Sequence, residues 1–481
     1  MTAQQAEKPT ELQSDFSHLI AGEAVTGDDW MDVVNPANGR AFARCPRGGR
    51  GELDRAVAAA REAFSSWSKT SYAERAALLG RMAEALEENQ EWMGELLTRE
   101  QGKPVGQARA EIGRGKGQLT GLSSIEIPVQ TLVDDGDKHI ELRYRPLGVV
   151  GIITPWNAPI NLALGPIASA LYTGNTIVLK PSPYTPLTTL KMGELMGRIF
   201  PPGVVNVLAG GDELGQLMTE HANIAKISFT GSVETGRKVM ASCASTIKRL
   251  TLELGGNDPA IVLDDVDIKE VAKKLFFAGT VNSGQVCMAV KRIYAHEKIY
   301  DALCQALAEQ ARNARLGDGM DPDTQLGPLQ NRMQYDKVKA FLEDTKKTGA
   351  RILAGGEMPE GDGYFIPPTI VTDIDEDARL VREEQFGPVL PVLSFSDIDD
   401  AIARANDTDY GLCGSIWTRD LEKGAKLAAR LEVGTAWVNQ HRATHPLVPF
   451  GGAKQSGLGR QYSILGLLGY MEPLVISVAK K

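Results

Sequence analysis

With 481 residues, 43% of them hydrophobic and 23% charged, the chain can bury large cores and needs no disulfide or metal staple to fold. Acidic residues outnumber basic ones, 61 to 52, giving a formal charge of -9 with no long block of one sign, which argues against nucleic acid or an anionic membrane as partner. The five cysteines, Cys45, Cys243, Cys287, Cys304 and Cys413, are scattered and odd in number; this indicates neither a disulfide framework nor a paired-spacing zinc site, and a reducing compartment is expected.

The opening stretch MTAQQAEKPTELQSDF has no apolar core of the kind a secretory signal needs, and disorder is expected only here. No run approaches the roughly 18 uninterrupted apolar residues of a membrane span, so a cytoplasmic protein is expected. Residues 51 to 101 carry apolar positions at helical spacing, among them Leu78, Leu79, Met82 and Leu86. HIELRYR (139 to 145) alternates apolar and polar residues as a strand does, without an obvious hairpin partner nearby. From Leu147 short apolar runs closed by glycine, proline or threonine take over: LGVVGIITPW, TGNTIVLKPS, GVVNVLAG and IAKISFTGS, separated by helical patterns such as LTTLKMGELMGRIF. This alternation predicts a parallel, doubly wound sheet covered on both faces. A second α/β series begins after Gly256 with PAIVL, IKEVAKKLFFAG and RIYAH, and continues with PTIVT and VLPVLSF. Two α/β units leave a crevice between them where a ligand commonly sits. PLVISVA near the C-terminus is another lone strand; with HIELRYR it is a candidate for pairing in a small third unit or across a subunit interface.

Four segments carry chemistry. In TPWN (154 to 157) an apolar strand ends at Asn157, whose amide is a fit donor for an oxyanion, although it could simply cap the next segment. In FTGSVETG, Gly231, Ser232 and Gly236 follow a strand where a helix N-terminus could meet a phosphate, a weak signal alone. In LTLELGGNDP, Glu253 is a carboxylate among apolar neighbours, followed by two glycines expected to turn the chain; desolvation would raise its pKa and suit it to general-base work, the alternatives being a helix cap or a buried ion pair. In NSGQVCMAV, Cys287 follows Gly284 and precedes an expected helix, whose N–H groups would favour thiolate; a cysteine in such a stretch is otherwise most often a small core residue. Neither G-x-G-x-x-G nor G-x-x-x-x-G-K-[ST] occurs.

Taken together with LKPS around Lys180, EEQFGPV around Glu384 and Phe386, and PFGGAKQSGLGR from Pro449 to Arg460, these segments resemble the NAD(P)-dependent aldehyde dehydrogenase superfamily of hydrolytic, non-acylating type over nearly the whole chain. The resemblance implies an α/β fold with a Rossmann-type cofactor domain (1–125 and 146–254, with a return at 446–469), a second α/β catalytic domain (255–445) and small β oligomerisation strands (126–145 and 470–481). It implies Cys287 as nucleophile, Glu253 as general base and Asn157 as oxyanion donor. Cofactor residues so implied are Thr154, Trp156, Lys180 at the adenosine ribose, Ser182, Gly211, Gly231 and Ser232 at the pyrophosphate, Leu254, Glu384 at the nicotinamide ribose and Phe386 against the nicotinamide. The reaction implied is oxidation of a small-molecule aldehyde to a carboxylic acid through a thiohemiacetal and a thioester, without metal, by a homodimer or homotetramer.

Some positions depart from the family's commonest pattern. Pro183 stands where many NAD-preferring members carry a ribose-binding glutamate; it neither accepts a ribose hydrogen bond nor repels a 2′-phosphate, leaving NAD only slightly favoured over NADP. Gly165 and Pro166 replace a frequent Trp-Lys, hinting at a roomier or differently shaped entrance, and Gln461 replaces a glutamate that could relay protons. In NQHRATH (439 to 445), Arg442 with His441 or His445 could greet a carboxylate-bearing semialdehyde or could be a solvated loop; the two histidines as metal ligands on a helix lack an acidic neighbour. The competing functions are a CoA-acylating semialdehyde dehydrogenase, disfavoured by the presence of Glu253, and a thiol esterase, disfavoured by the nicotinamide-binding motifs. A binding protein that retains an old fold is the third alternative.

Overall fold

In the computed structural model, which describes residues 14–480, the helical pattern after residue 50 forms three consecutive helices, Arg50–Trp67, Tyr72–Glu88 and Gln90–Gln101. The disorder expected at the start of the chain falls outside the described residues. Ser71 and Glu74 form a capping box that starts the second helix, and Gly102, left-handed at φ 95°, ends the third. Leu79, Met82 and Leu86 are fully buried in the same core as Ile152, Ile177 and Leu179 of the adjoining sheet.

That sheet has eight strands in the order Glu23–Val25, His18–Ile20, Val205–Val207, Thr176–Lys180, Val149–Ile153, Lys226–Thr230, Arg249–Glu253, Gly457–Leu458. Its five central strands are parallel. From Val149–Ile153 the chain first adds strands on one side, then crosses over to add Lys226–Thr230 and Arg249–Glu253 on the other. The carboxyl ends at this reversal are where ligands of doubly wound sheets bind. Burial on both faces explains the near-continuous apolar runs, for example VVGII, in which all five residues are buried.

The second series builds a seven-stranded sheet in the order Arg351–Ala354, Thr369–Thr372, Val389–Phe395, Val290–His296, Asp258–Val262, Cys413–Trp417, Thr435–Val438, parallel except for the first. Glu253 ends a strand of one sheet and Asp258 begins a strand of the other. The carboxyl edge of the first sheet is thereby joined directly to the amino edge of the second.

HIELRYR does have a hairpin partner, contrary to the expectation from sequence. Lys138–Pro146 pairs antiparallel with Gln130–Asp134 on one side and with Met471–Ala479 on the other, forming a three-stranded sheet. The Asp135 carboxylate shapes the turn by accepting the N–H groups of Asp137 and Lys138, and an irregularity between Thr131 and Val133 breaks the alternation that would have marked the partner strand. Leu132, Leu474, Val475 and Val478 remain exposed on this sheet.

Candidate active site

Cys287 lies in the turn between helix Ile268–Thr280 and strand Val290–His296. The chain approaches it through three left-handed residues, Asn282, Ser283 and Gly284 (φ 52°, 54° and 74°). A Cβ at Gly284 would lie 2.3 Å from the Gly387 carbonyl oxygen, so only glycine lets this loop press against residues 384–388. The helix expected after the cysteine is absent: the turn runs straight into a strand, and no helix N-terminus lends the thiol positive charge. That role falls to Lys291, whose ammonium donates to the carbonyls of Val286 (2.8 Å) and Cys287 (3.1 Å). Desolvation still outweighs Lys291, and the thiol is pushed up to about 12. The resting sulfur, half-buried, is therefore a thiol and must lose its proton to react.

Asn157 is no helix cap. Its Nδ2 donates to the Gln285 carbonyl (2.9 Å), reaching across to the cysteine loop, while its backbone carbonyl accepts Lys103 Nζ and Asn282 Nδ2, both at 2.9 Å. The following helix is capped instead by Glu111, whose Oε1 accepts the N–H groups of Ile160 and Asn161. The side-chain amide is thus tied to the cysteine loop through one of its two N–H groups, and the other is left to donate elsewhere.

Glu253 is neither a cap nor half of an ion pair. It is 5% exposed, and neither carboxylate oxygen has a hydrogen-bond partner among the described residues. Arg460 exerts some attraction, but its Nη1 is bonded to the carbonyls of Gly452 and Gly459. Burial holds the Glu253 carboxyl well above the ordinary carboxylate range, with Arg460 opposing. The two glycines that follow serve close approach and do not turn the chain through positive φ, correcting the expectation from sequence. A Cβ at Gly255 would lie 2.2 Å from Glu384 Oε2, and one at Gly256 2.9 Å from the Cys287 carbonyl.

The remaining predicted residues gather at the reversal of the first sheet and the facing loop of the second. Thr154 donates its N–H to Lys180 O, and its Oγ1 is buried without a partner among the described residues. Lys180 ends its strand with a buried amine whose one bond is to Pro181 O at 3.3 Å; desolvation pulls it down to about 8 against the attraction of Asp212. Ser182 Oγ accepts Tyr184 N–H. Gly211 precedes helix Asp212–Glu220, Ser232 caps helix Val233–Ala244 by accepting Thr235 N–H, and Gly231 N–H bonds Glu253 O. Leu254 N–H bonds Ser456 O, and its side chain fills the space a Cβ at Gly236 would need. Glu384 Oε1 accepts Gly256 N–H (3.1 Å) and stands 3.7 Å from Lys291 Nζ. Phe386, left-handed at φ 50°, meets Trp156 edge-on with ring centroids 5.4 Å apart. Helix N-termini, an unpartnered buried hydroxyl and a near-bare buried ammonium at strand carboxyl ends suit a dinucleotide's phosphates and hydroxyls.

On the opposite side, the room left by Gly165 is taken by Tyr462: a Cβ at Gly165 would lie 3.0 Å from Tyr462 Cε1 and 3.5 Å from Gln461 Oε1. Tyr462 accepts a hydrogen bond from Gln118 Nε2. Gln461 is buried, its backbone paired with Phe450. NQHRATH is a loop, not a helix, and its side chains diverge. His441 turns inward to Ser415 Oγ (2.9 Å), while exposed His445 accepts Leu447 N–H within its own loop. Arg442 lies over the Phe277 ring, within electrostatic reach of Cys287 and Arg114. Sequence reasoning missed Lys103, Arg114, Lys291 and Tyr462. Lys291 had a local signal, four residues after Cys287; the others reach the site through long-range packing.

Solved structures with this arrangement are aldehyde dehydrogenases. A variant of the Bacillus cereus enzyme superposes with a TM-score of 0.95 at 38% identity, covering 97% of each chain. Betaine aldehyde dehydrogenase from Staphylococcus aureus, in complex with NAD+, gives 0.93 at 34% identity, covering 96% of this chain and 94% of that one. The fold is thus an aldehyde dehydrogenase-like α/β fold. Among curated proteins, aldehyde dehydrogenase LUC3 of a Fusarium species is 38% identical over 467 residues, 97% of this chain and 99% of the relative. The model of the aldehyde dehydrogenase family matches residues 24–476, and the chain belongs to that family. It is an oxidoreductase that acts on aldehydes with an NAD-type cofactor. Among the described residues, no helix is long and apolar enough to cross a membrane.

Proposed function

We propose that the protein oxidises an aldehyde to a free carboxylic acid through covalent attachment to Cys287. The observation that carries this reading is a buried carboxyl without hydrogen-bond partners among the described residues, Glu253, on the segment that runs from one sheet to the other beneath the cysteine loop. Cys287 Sγ, its proton given up to solvent, adds to the aldehyde carbon, and the oxygen gains negative charge that the remaining Asn157 N–H can meet. When bound, the nicotinamide supplies the acceptor for the hydride lost from that carbon. Glu253, once ionised, takes a proton from water as it attacks the thioester and returns it to the departing sulfur, so that the thiol and the acid are released. Lys180, Ser232, Glu384 and Phe386, with Thr154, Trp156, Ser182, Gly211, Gly231 and Leu254, line the cofactor side. NAD is favoured slightly over NADP; the S. aureus relative has been seen both with NAD+ and with a BME-modified cysteine.

The boundaries 1–125, 146–254 and 446–469 for the cofactor domain and 255–445 for the catalytic domain follow from the same reading. The exposed apolar residues of the three-stranded sheet support association into a homodimer or homotetramer through 126–145 and 470–481. The test is to incubate the purified protein with an aldehyde panel, NAD or NADP, and with or without CoA. Free acid and reduced cofactor in equal amounts support the reading. Acyl-CoA formation, or ester cleavage without aldehyde-dependent reduction, would overturn it.

A further inference from the structure

Resting on the aldehyde-oxidation reading, we propose that the natural substrate carries a carboxylate at the end remote from its aldehyde, and that Arg442 and Arg114 hold it. The loop bearing Arg442 is fixed, not loose: Trp437 Nε1 donates to Ala443 O (3.1 Å), Ser463 N–H donates to Pro446 O (2.8 Å), and a Cβ at Gly121 would lie 2.8 Å from Pro446 Cβ. The last of these contacts seats the loop on helix Val105–Leu122, the helix of Arg114. Arg442 itself is left-handed at φ 66°, a conformation that costs a residue with a Cβ.

That cost comes with no internal partner for the charge. Arg442 Nε is buried without a hydrogen-bond partner among the described residues, and the guanidinium's only ring contact is Phe277, 5.8 Å to the centroid. Neither Arg442 nor Arg114 has a carboxylate within ion-pair distance among the described residues, although the chain has 61 acidic residues to place. Burial lowers Arg442 to about 10, and the charged group that acts next most strongly is Arg114, which repels it. Lys103 feels both arginines, yet its ammonium is committed to Glu111 and to the Asn157 carbonyl. Arg442 thus feels both Arg114 and Cys287, and neither guanidinium has an ion-paired carboxylate among the described residues. A carboxylate supplied by the substrate would relieve the repulsion and complete the buried Nε–H. A carboxylate suits this half-buried place beside Phe277 better than a doubly charged phosphate, whose desolvation costs more.

The test compares kcat/KM for aldehydes matched in length with and without the terminal charge: succinate semialdehyde against butanal, and glutarate semialdehyde against pentanal, with glyceraldehyde 3-phosphate as the phosphate arm. The expected preference for at least one carboxylated member over its neutral partner is about 30-fold, the worth of charge-assisted hydrogen bonds. Arg442→Gln should reduce that ratio about 10-fold or more, chiefly through KM, and Arg442→Lys should restore part of it. Arg114→Gln, at an exposed position that does not threaten folding, should reduce it as well. A ratio near one in the unaltered enzyme, a ratio untouched by either glutamine variant, or preference for the phosphorylated aldehyde would overturn the proposal. If butanal is converted to free acid while the ratio stays near one, the carboxylate proposal alone fails. If no aldehyde is oxidised, the reading beneath it fails too.

Discussion

Glu253→Gln isolates the hydrolytic half of the reaction. The side chain is buried, keeps its shape in the substitution, and among the described residues has no hydrogen bond to lose on either oxygen, so the change removes a base without dismantling a network. General-base assistance is worth about 10²- to 10⁴-fold, or roughly 3 to 5 kcal/mol of barrier. Acylation does not need that base to attack water, so the first turnover survives and later ones stall. Rapid mixing with aldehyde and cofactor should give a burst of reduced nicotinamide equal to the active sites, then a steady rate lower by about the factor above. The pH dependence has a definite sign. The carboxyl is held above its ordinary range, so the ionised base, and with it the hydrolysis rate, increases as pH rises through that elevated value. In the glutamine variant this limb should vanish. A variant with an unchanged steady rate and no burst would refute the role assigned to Glu253.

Asn157→Ala removes the side-chain amide that reaches across to the cysteine loop, and should lower kcat about 10²- to 10³-fold in steady-state assays while cofactor binding persists; a loss under about threefold would argue against an oxyanion role. Lys180, pulled down to about 8, is an ammonium below that pH and loses its charge above it. Cofactor affinity measured by fluorescence titration should weaken as pH rises through about 8, and the slope should be absent in Lys180→Met. Pro183→Glu should raise the ratio of kcat/KM for NAD to that for NADP by about 10-fold, through a ribose hydrogen bond gained and a 2′-phosphate repelled; an unchanged ratio would place the selecting residue elsewhere.

What was legible from residues alone was the part of the molecule governed by local pattern. The runs ending at Ile153, Lys180, Thr230 and Glu253 read as strands because both faces of a parallel sheet are buried, and the helices between them showed their period. Asn157, Glu253 and Cys287 stand out because each departs from the apolar run around it. Cys287 also shows the limit of local pattern. Apolar residues after the cysteine fit helix or strand equally, and only the sheet partners Asp258–Val262 and Val389–Phe395 decide for strand. The partner strand of HIELRYR is hidden by an irregularity, and Lys103, Arg114 and Tyr462 reach the site from helices and turns whose local sequence says nothing of what they face. Glycines mislead in the same way: Gly255 and Gly256 are needed for what lies against them, a fact of three-dimensional packing.

The most direct measurement is intact-protein and peptide mass spectrometry of the Glu253→Gln enzyme, quenched in acid after mixing with cofactor and a neutral aldehyde. One acyl group per chain, confined to the peptide holding Cys287 and absent from Cys287→Ala, is the predicted result. An acyl group on Cys413 or another residue, or reduced cofactor formed with no covalent adduct at all, would contradict it.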